Sequence, residues 1–163
     1  MRINWFLVVT VENSKAVKSK PAQSGKFKAV KEVSVMVWIE NQFGDVLLLK
    51  QSRGNKLWTL PGGKVRMRES LLGALRREVS EETGLKIQSV VLSLVFDRSQ
   101  KGVLAFLYRA RIKGRKDIVY PKLNEIETAR FSASLPKTPT PSLRYFWNHI
   151  RGASSDGHFH PGG

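Results

Sequence analysis

Residues 63–85 read GKVRMRESLLGALRREVSEETGL, and the second half of that stretch decides what kind of chain this is. From Ser70 onward the pattern turns helical: Leu71, Leu72, Leu75 and Val79 predict an apolar stripe about 100° wide that packs into a core. Gly84 supplies the stop, so the expected helix runs from about Ser70 to Thr83. Glu78, Glu81 and Glu82 fall on one flank of the stripe at i, i+3 and i+4, while Gly73, Arg76 and Ser80 point to the open side. Carboxylates so close repel one another. Two of them lie in the last turn, where the helix dipole disfavours anions by about 0.3–1 kcal/mol each. Pairing within the helix, as between Arg77 and Glu81, is the bland resolution, but Arg placed N-terminal to Glu is the weaker orientation. A divalent cation resolves the conflict better, because Mg2+ or Mn2+ takes hard oxygen ligands and commonly bridges carboxylates to substrate phosphates.

The remainder of the chain has the opposite sign. Among 163 residues 28 are Lys or Arg and 13 are Asp or Glu, a formal charge of +15. Such a surface favours polyanionic partners without naming one, and plain solubilisation competes with that reading. The length suits one domain, read as residues 1–152, with residues 153–163 expected to form a disordered tail. No apolar run reaches the roughly 20 residues of a membrane span. The opening MRINWFLVVTVENSK lacks a small-residue cleavage site and reads as a first strand, not a signal peptide. Without cysteine, disulfides and thiolate metal sites are excluded, and the cytoplasm is the default location. His158 and His160, set among Gly and Pro in the tail, read as incidental. Gly62-Gly63-Lys64 is not a P-loop, since the earlier Gly and the following Ser or Thr are missing.

Outward from the helix, INWFLVVTV and EVSVMVWIE read as strands separated by a polar, basic loop broken by Pro21 and Gly25. After the turn NQFGD, VLLLK is expected to pair with the strand before it as a hairpin. Two long strands follow the helix, around SQKG, then a short strand near TARFSA, a proline-spaced linker and a last amphipathic helix, SLRYFWNHI. That order predicts an α+β sandwich, a mixed sheet between helices.

Gly63 to Leu85 resembles the Nudix box: glycine, five residues, Glu, seven residues, then Arg-Glu-apolar-any-Glu-Glu-any-Gly-apolar. Gly63, Glu69, Arg77, Glu78, Val79, Glu81, Glu82, Gly84 and Leu85 fill its fixed positions, and LWTLPGGKV before the box is also typical. The resemblance covers about Glu32 to Phe131. It implies a Nudix-type α/β/α sandwich and a hydrolase that cleaves a diphosphate bond in a nucleoside diphosphate linked to another group. It further implies divalent metals on Glu78, Glu82 and usually Glu81, with the backbone carbonyl of Gly63. Arg77 is expected to orient a carboxylate and Glu69 to fix the loop. A MutT-like enzyme acting on nucleoside triphosphates or oxidised nucleotides is the default. The proline that follows the box in many ADP-ribose hydrolases is absent, as are the SQPWPxS motif of NADH diphosphatases and the tyrosine of dinucleoside-polyphosphate hydrolases. The alternative is a Nudix-fold module that holds a nucleotide or RNA without cleaving it; no box glutamate is lost, as that would favour.

Where the family carries an acidic or Pro-Gly stretch, this chain has Arg66, Met67 and Arg68, and from Val46 to Arg68 there are six basic residues and no acidic one. Lys64, Arg66 and Arg68 are therefore candidates to bind substrate phosphate, with an inert surface as the competing account. The general base varies within the family, and Glu125 and Glu127 are candidates, or else simple solvent charges. Arg109, Arg111 and Lys113 alternate along one strand face, as a charged edge strand or an anion-binding face. Trp58, Phe96 and Tyr120 could stack on a base but read first as core.

Overall fold

The computed structural model describes residues 30–98, 102–112 and 125–152. The strand expected at the N-terminus, the basic loop after it, Lys113, Tyr120 and the tail lie outside the described residues. The order is β1 (Glu32–Ile39), β2 (Val46–Gln51), β3 (Trp58–Thr59), β4 (Gly62–Lys64), α1 (Leu71–Thr83), β5 (Ile87–Arg98), β6 (Val103–Ile112), β7 (Ile126–Ser132) and α2 (Pro141–Gly152). Among the described residues the strands form a mixed sheet ordered β4-β1-β6-β5 and an antiparallel one ordered β3-β2-β7.

Alternation in the strands feeds two cores. In β1, Val35, Val37 and Ile39 face α1, where they meet Leu47, Ala74, Leu75, Val79 and Tyr108. Met36 and Trp38, of opposite parity, face α2 with Leu48, Leu60, Leu107, Phe146 and Trp147. From Val90 onward strand β5 serves both cores with residues of one parity: Val90 and Leu92 lie on the α1 side, Leu94 and Phe96 on the α2 side. A register shift between Leu92 and Leu94 makes this exchange, since one inserted residue turns the following side chains to the opposite face. The helices thus cover opposite faces of the sheet layer, and the α+β sandwich stands.

Three local expectations are corrected. Beyond an isolated bridge between Glu40 and Val46, β2 leaves β1 and pairs with β3 and β7. Val46, Leu47, Leu48 and Leu49 are all fully buried, and separate sheets give a strand with two apolar faces cover on each. Strand β6 is not an edge: it pairs in parallel with β1 and antiparallel with β5. Arg109 accordingly lies half-buried, its Nη2 3.4 Å from Glu40. In α1, Leu72 is 38% exposed and Ala74 takes the buried place expected for it, packed in the cluster with Val35, Val37, Leu75 and Val79.

Candidate functional site

The site is built where α1 passes β4. Ser70 caps the helix, its Oγ accepting from Gly73 N–H at 3.0 Å, and Gly84 closes it in the left-handed conformation with its N–H on Ser80 O. Strand β4 is anchored to β1, Gly63 opposite Val35 and Gly62 opposite Met36. A Cβ at Gly62, whose φ is 143°, would collide with the Val35 carbonyl, and one at Gly63 would lie 2.6 Å from a Glu78 carboxylate oxygen. At Gly62 the clash is with backbone, so only glycine fits there; at Gly63 a Cβ would displace the Glu78 carboxylate.

Arg77 organises the charged residues. Its Nε and Nη2 donate to the two oxygens of Glu69 at 2.8 Å each, a bidentate pair. Nη2 also donates to the Lys64 carbonyl at 3.0 Å, and Nη1 to Glu78 at 2.6 Å and, at 3.4 Å, to Glu81. Glu69 accepts the Arg66 N–H as well, at 3.0 Å, closing the turn before the helix. Hydrogen bonds from Arg77 and from the Arg66 amide hold the Glu69 carboxyl down at about 2, and Glu69, followed by Glu78, raises Arg77. Much of the negative charge is therefore compensated by an arginine, more fully than pairing with Glu81 alone suggests.

Glu82 is different. It is 8% exposed, and its carboxylate accepts the Gly62 N–H at 2.9 Å. Burial pushes its carboxyl up to about 8 against that hydrogen bond, and the charges of Glu78, Glu125 and Glu81 push the same way. A buried carboxylate ringed by others is a hard-oxygen donor set with an excess of negative charge, and it fits a divalent cation chemically. Among the described residues no three acidic or histidine side chains converge on one point as an assembled metal cluster.

The remaining candidates separate. Lys64 pairs with Glu32 at 2.7 Å and Arg66 lies 3.7 Å from Glu81, while Arg68 has a positive φ of 62° and forms no ion pair among the described residues. Glu127 is held by Lys50 at 2.7 Å and Lys56 at 3.2 Å, which lower its pKa. Glu125 lines an open cavity of about 300 Å³ with Gln51, Arg53 and Gly54. Trp58 is buried with Arg130 over its ring at 4.5 Å, and Phe96 packs on Tyr145 and Phe146. Sequence reasoning missed Glu32, Gln51 and Arg53. Arg53 had a signal, the run of basic residues from Val46 to Arg68; Glu32 had none, since its tie to Lys64 comes from strand pairing.

A NUDIX domain model matches residues 30–140. A MutT-like protein of Streptomyces ambofaciens is 30% identical over 82 residues, 50% of this chain and 53% of that protein. An 8-oxo-dGTP diphosphatase of Buchnera aphidicola is 61% identical over 31 residues, 19% of this chain and 24% of that enzyme. The chain spans about half, or less, of the length of these curated relatives. Among solved structures, a MutT NUDIX hydrolase from Burkholderia pseudomallei superposes with a TM-score of 0.61 at 28% identity, covering 70% of this chain and 93% of that one. A MutT protein from Methanosarcina mazei gives 0.59 at 27% identity, covering 76% and 94%.

Proposed function

The chain belongs to the NUDIX family, and on that premise we propose that it is a divalent-metal-dependent hydrolase of a diphosphate bond, with nucleoside triphosphates or their oxidised forms as substrates. The observation that carries this reading is Glu82, a buried carboxyl pushed up to about 8 beside Glu78 and fixed by the Gly62 amide. A helix selected for stability alone would not bury that group. Glu78, Glu81 and Glu82 would hold Mg2+ or Mn2+, whose chemistry there is to acidify a water and screen the diphosphate.

The protein's own residues do the positioning. Arg77 fixes Glu69 and Glu78 together, so it ties the loop after β4 to the helix. Glu125, whose charge reaches Glu82, is the general base: it takes the proton of the attacking water as the water oxygen bonds to phosphorus. The bridging P–O bond breaks with its electron pair leaving on the departing phosphate. Glu127 is the poorer base, because two lysines already occupy its carboxylate. Arg66, beside Glu81, and Arg68 receive the outlying phosphate, with Lys64 shared with Glu32. The name of the Buchnera relative, an 8-oxo-dGTP diphosphatase, supports an oxidised purine triphosphate as the first substrate to try.

The test is a panel of nucleoside triphosphates, diphosphates and oxidised forms assayed by phosphate release after coupling to a pyrophosphatase. Turnover should vanish in EDTA and return with Mg2+ or Mn2+. Full turnover in chelator would overturn the metal assignment.

A further inference from the structure

At its entrance β7 carries one residue more than its partner strand. Lys50 of β2 pairs with Thr128 and the next residue, Gln51, with Ile126, so Glu127 is the extra residue of a β-bulge. In a regular strand residues two apart point the same way. Here they serve different partners. Glu127 is gripped by Lys50 and Lys56, which stand at the two ends of the connection between β2 and β3. Glu125 accepts the Ser52 N–H on its carbonyl at 2.8 Å, within that connection, and lines the cavity with Arg53. The Gln51 N–H donates to Leu57 O at 3.0 Å, which closes the connection into a loop. One carboxylate thus pins both ends of a loop whose first residue after β2, Ser52, is bonded to Glu125.

We propose that Glu127 is a positioning residue: as the bulged residue held by Lys50 and Lys56, it fixes the β2–β3 loop on the entrance of β7 and so aims Glu125 at the carboxylate edge of α1. This rests on the hydrolase reading and on Glu125 as its base. Bulges next to active sites commonly re-aim a side chain. Exposed ion pairs are individually weak, so the effect is a misplacement of Glu125, not a collapse of the fold.

The experiment compares Glu127→Gln with the double variant Lys50→Met/Lys56→Met, which breaks the same grip from the other side, each checked for folding by Tm. Both should lower kcat about fivefold with KM unchanged, and both should speed hydrogen exchange at the Ser52 amide, a readout that needs no catalysis. In a Glu125→Gln background, adding Glu127→Gln should cost nothing further. An undiminished Glu127→Gln effect in that background, unchanged Ser52 exchange, or no loss of kcat from Glu125→Gln itself would overturn the proposal. A wild-type protein that hydrolyses no nucleotide with Mg2+ would instead overturn the hydrolase reading.

Discussion

The two helices cover opposite faces of the same sheet layer and are built by opposite rules. α2 contributes Leu143, Phe146 and Trp147 to an aromatic core in which the Trp38 and Trp147 rings stand 5.3 Å apart, and its last turn carries His149 and Arg151, the sign the helix dipole favours. Arg151 reaches over both tryptophans at 5.7 Å, donates to the Gly44 carbonyl and lies 3.6 Å from Glu40, locking the helix end to the β1–β2 turn. α1 buries Ala74, Leu75 and Val79 in the same manner, then adds Glu82 to the buried set and carries no basic residue in its last turn. The α2 face is arranged for stability throughout; the α1 face gives up stability at its C-terminal end for the sake of a carboxylate cluster.

The sharpest way to break this comparison is to damage each face and ask what is lost. Phe146 is fully buried, with the Phe96 ring 5.9 Å away and Tyr145 5.6 Å away. Phe146→Ala should cost about 3–5 kcal/mol in urea unfolding, while the protein that remains folded keeps its specific activity. A loss of activity per folded molecule would mean the two faces are coupled, and the division drawn here would fail.

Glu82→Gln should do the reverse. The amide oxygen can still accept from Gly62, but the side chain can no longer ionise to hold a cation, so kcat should fall at least ~10²-fold while stability without metal stays level or rises. Stability against pH gives a second reading of the same variant. A carboxyl raised in the folded state to about 8 from 4.5 contributes stability that is complete below 4.5 and lost as the pH climbs through 8. Glu69, held at about 2, works in the other window: its contribution is present above 4.5 and lost as the pH falls through 2. In EDTA the wild-type Tm should therefore decline between pH 5 and 8, and Glu82→Gln should remove that decline while leaving the acid limb alone. Melting curves that decline equally in both proteins would take Glu82 out of the buried, protonated role.

Much of this contrast was legible in the sequence because it is local. Ser70, the apolar stripe, the carboxylate spacing and Gly84 lie within one helix, and helix periodicity reports which side each residue takes to within a neighbour. The slip from Leu72 to Ala74 shows that limit: both border the stripe, and tertiary packing buries Ala74 while leaving Leu72 at 38% exposed. What failed depends on contacts distant in the chain. The departure of β2 from β1 and the central place of β6 follow from which strands meet, and a strand buried on both faces carries no mark of its partners. Arg77 could be expected to meet Glu81 one turn on, but not to be held by Glu69 eight residues earlier, since that depends on the turn at Arg66–Glu69 folding back on the helix. Glu125 and Glu127 were indistinguishable by type and spacing, and a one-residue bulge gives them different partners.

The smallest effect tests the rim that joins the cluster to the basic surface. Arg66 and Arg68 are exposed and flank Met67, itself 91% exposed, on the turn that leads into α1. Exposed charges act weakly and are screened by salt, each worth about 0.2–1 kcal/mol, so Arg66→Ala/Arg68→Ala should raise KM for a triphosphate only several-fold, less for a diphosphate, and leave kcat nearly untouched. The two positions are not equivalent. Arg66 lies 3.7 Å from Glu81, so its removal also uncovers a carboxylate beside the site and adds repulsion to the lost attraction. Arg68, which forms no ion pair among the described residues, gives the cleaner measurement. Its single variant should show the triphosphate preference shrinking at low ionic strength and the difference from wild type disappearing as salt is raised. If Arg68→Ala changes KM for triphosphate and diphosphate by the same factor, or by none at any salt, the basic rim is a solubilising surface. The opposition of charges would then end at the carboxylate edge of α1.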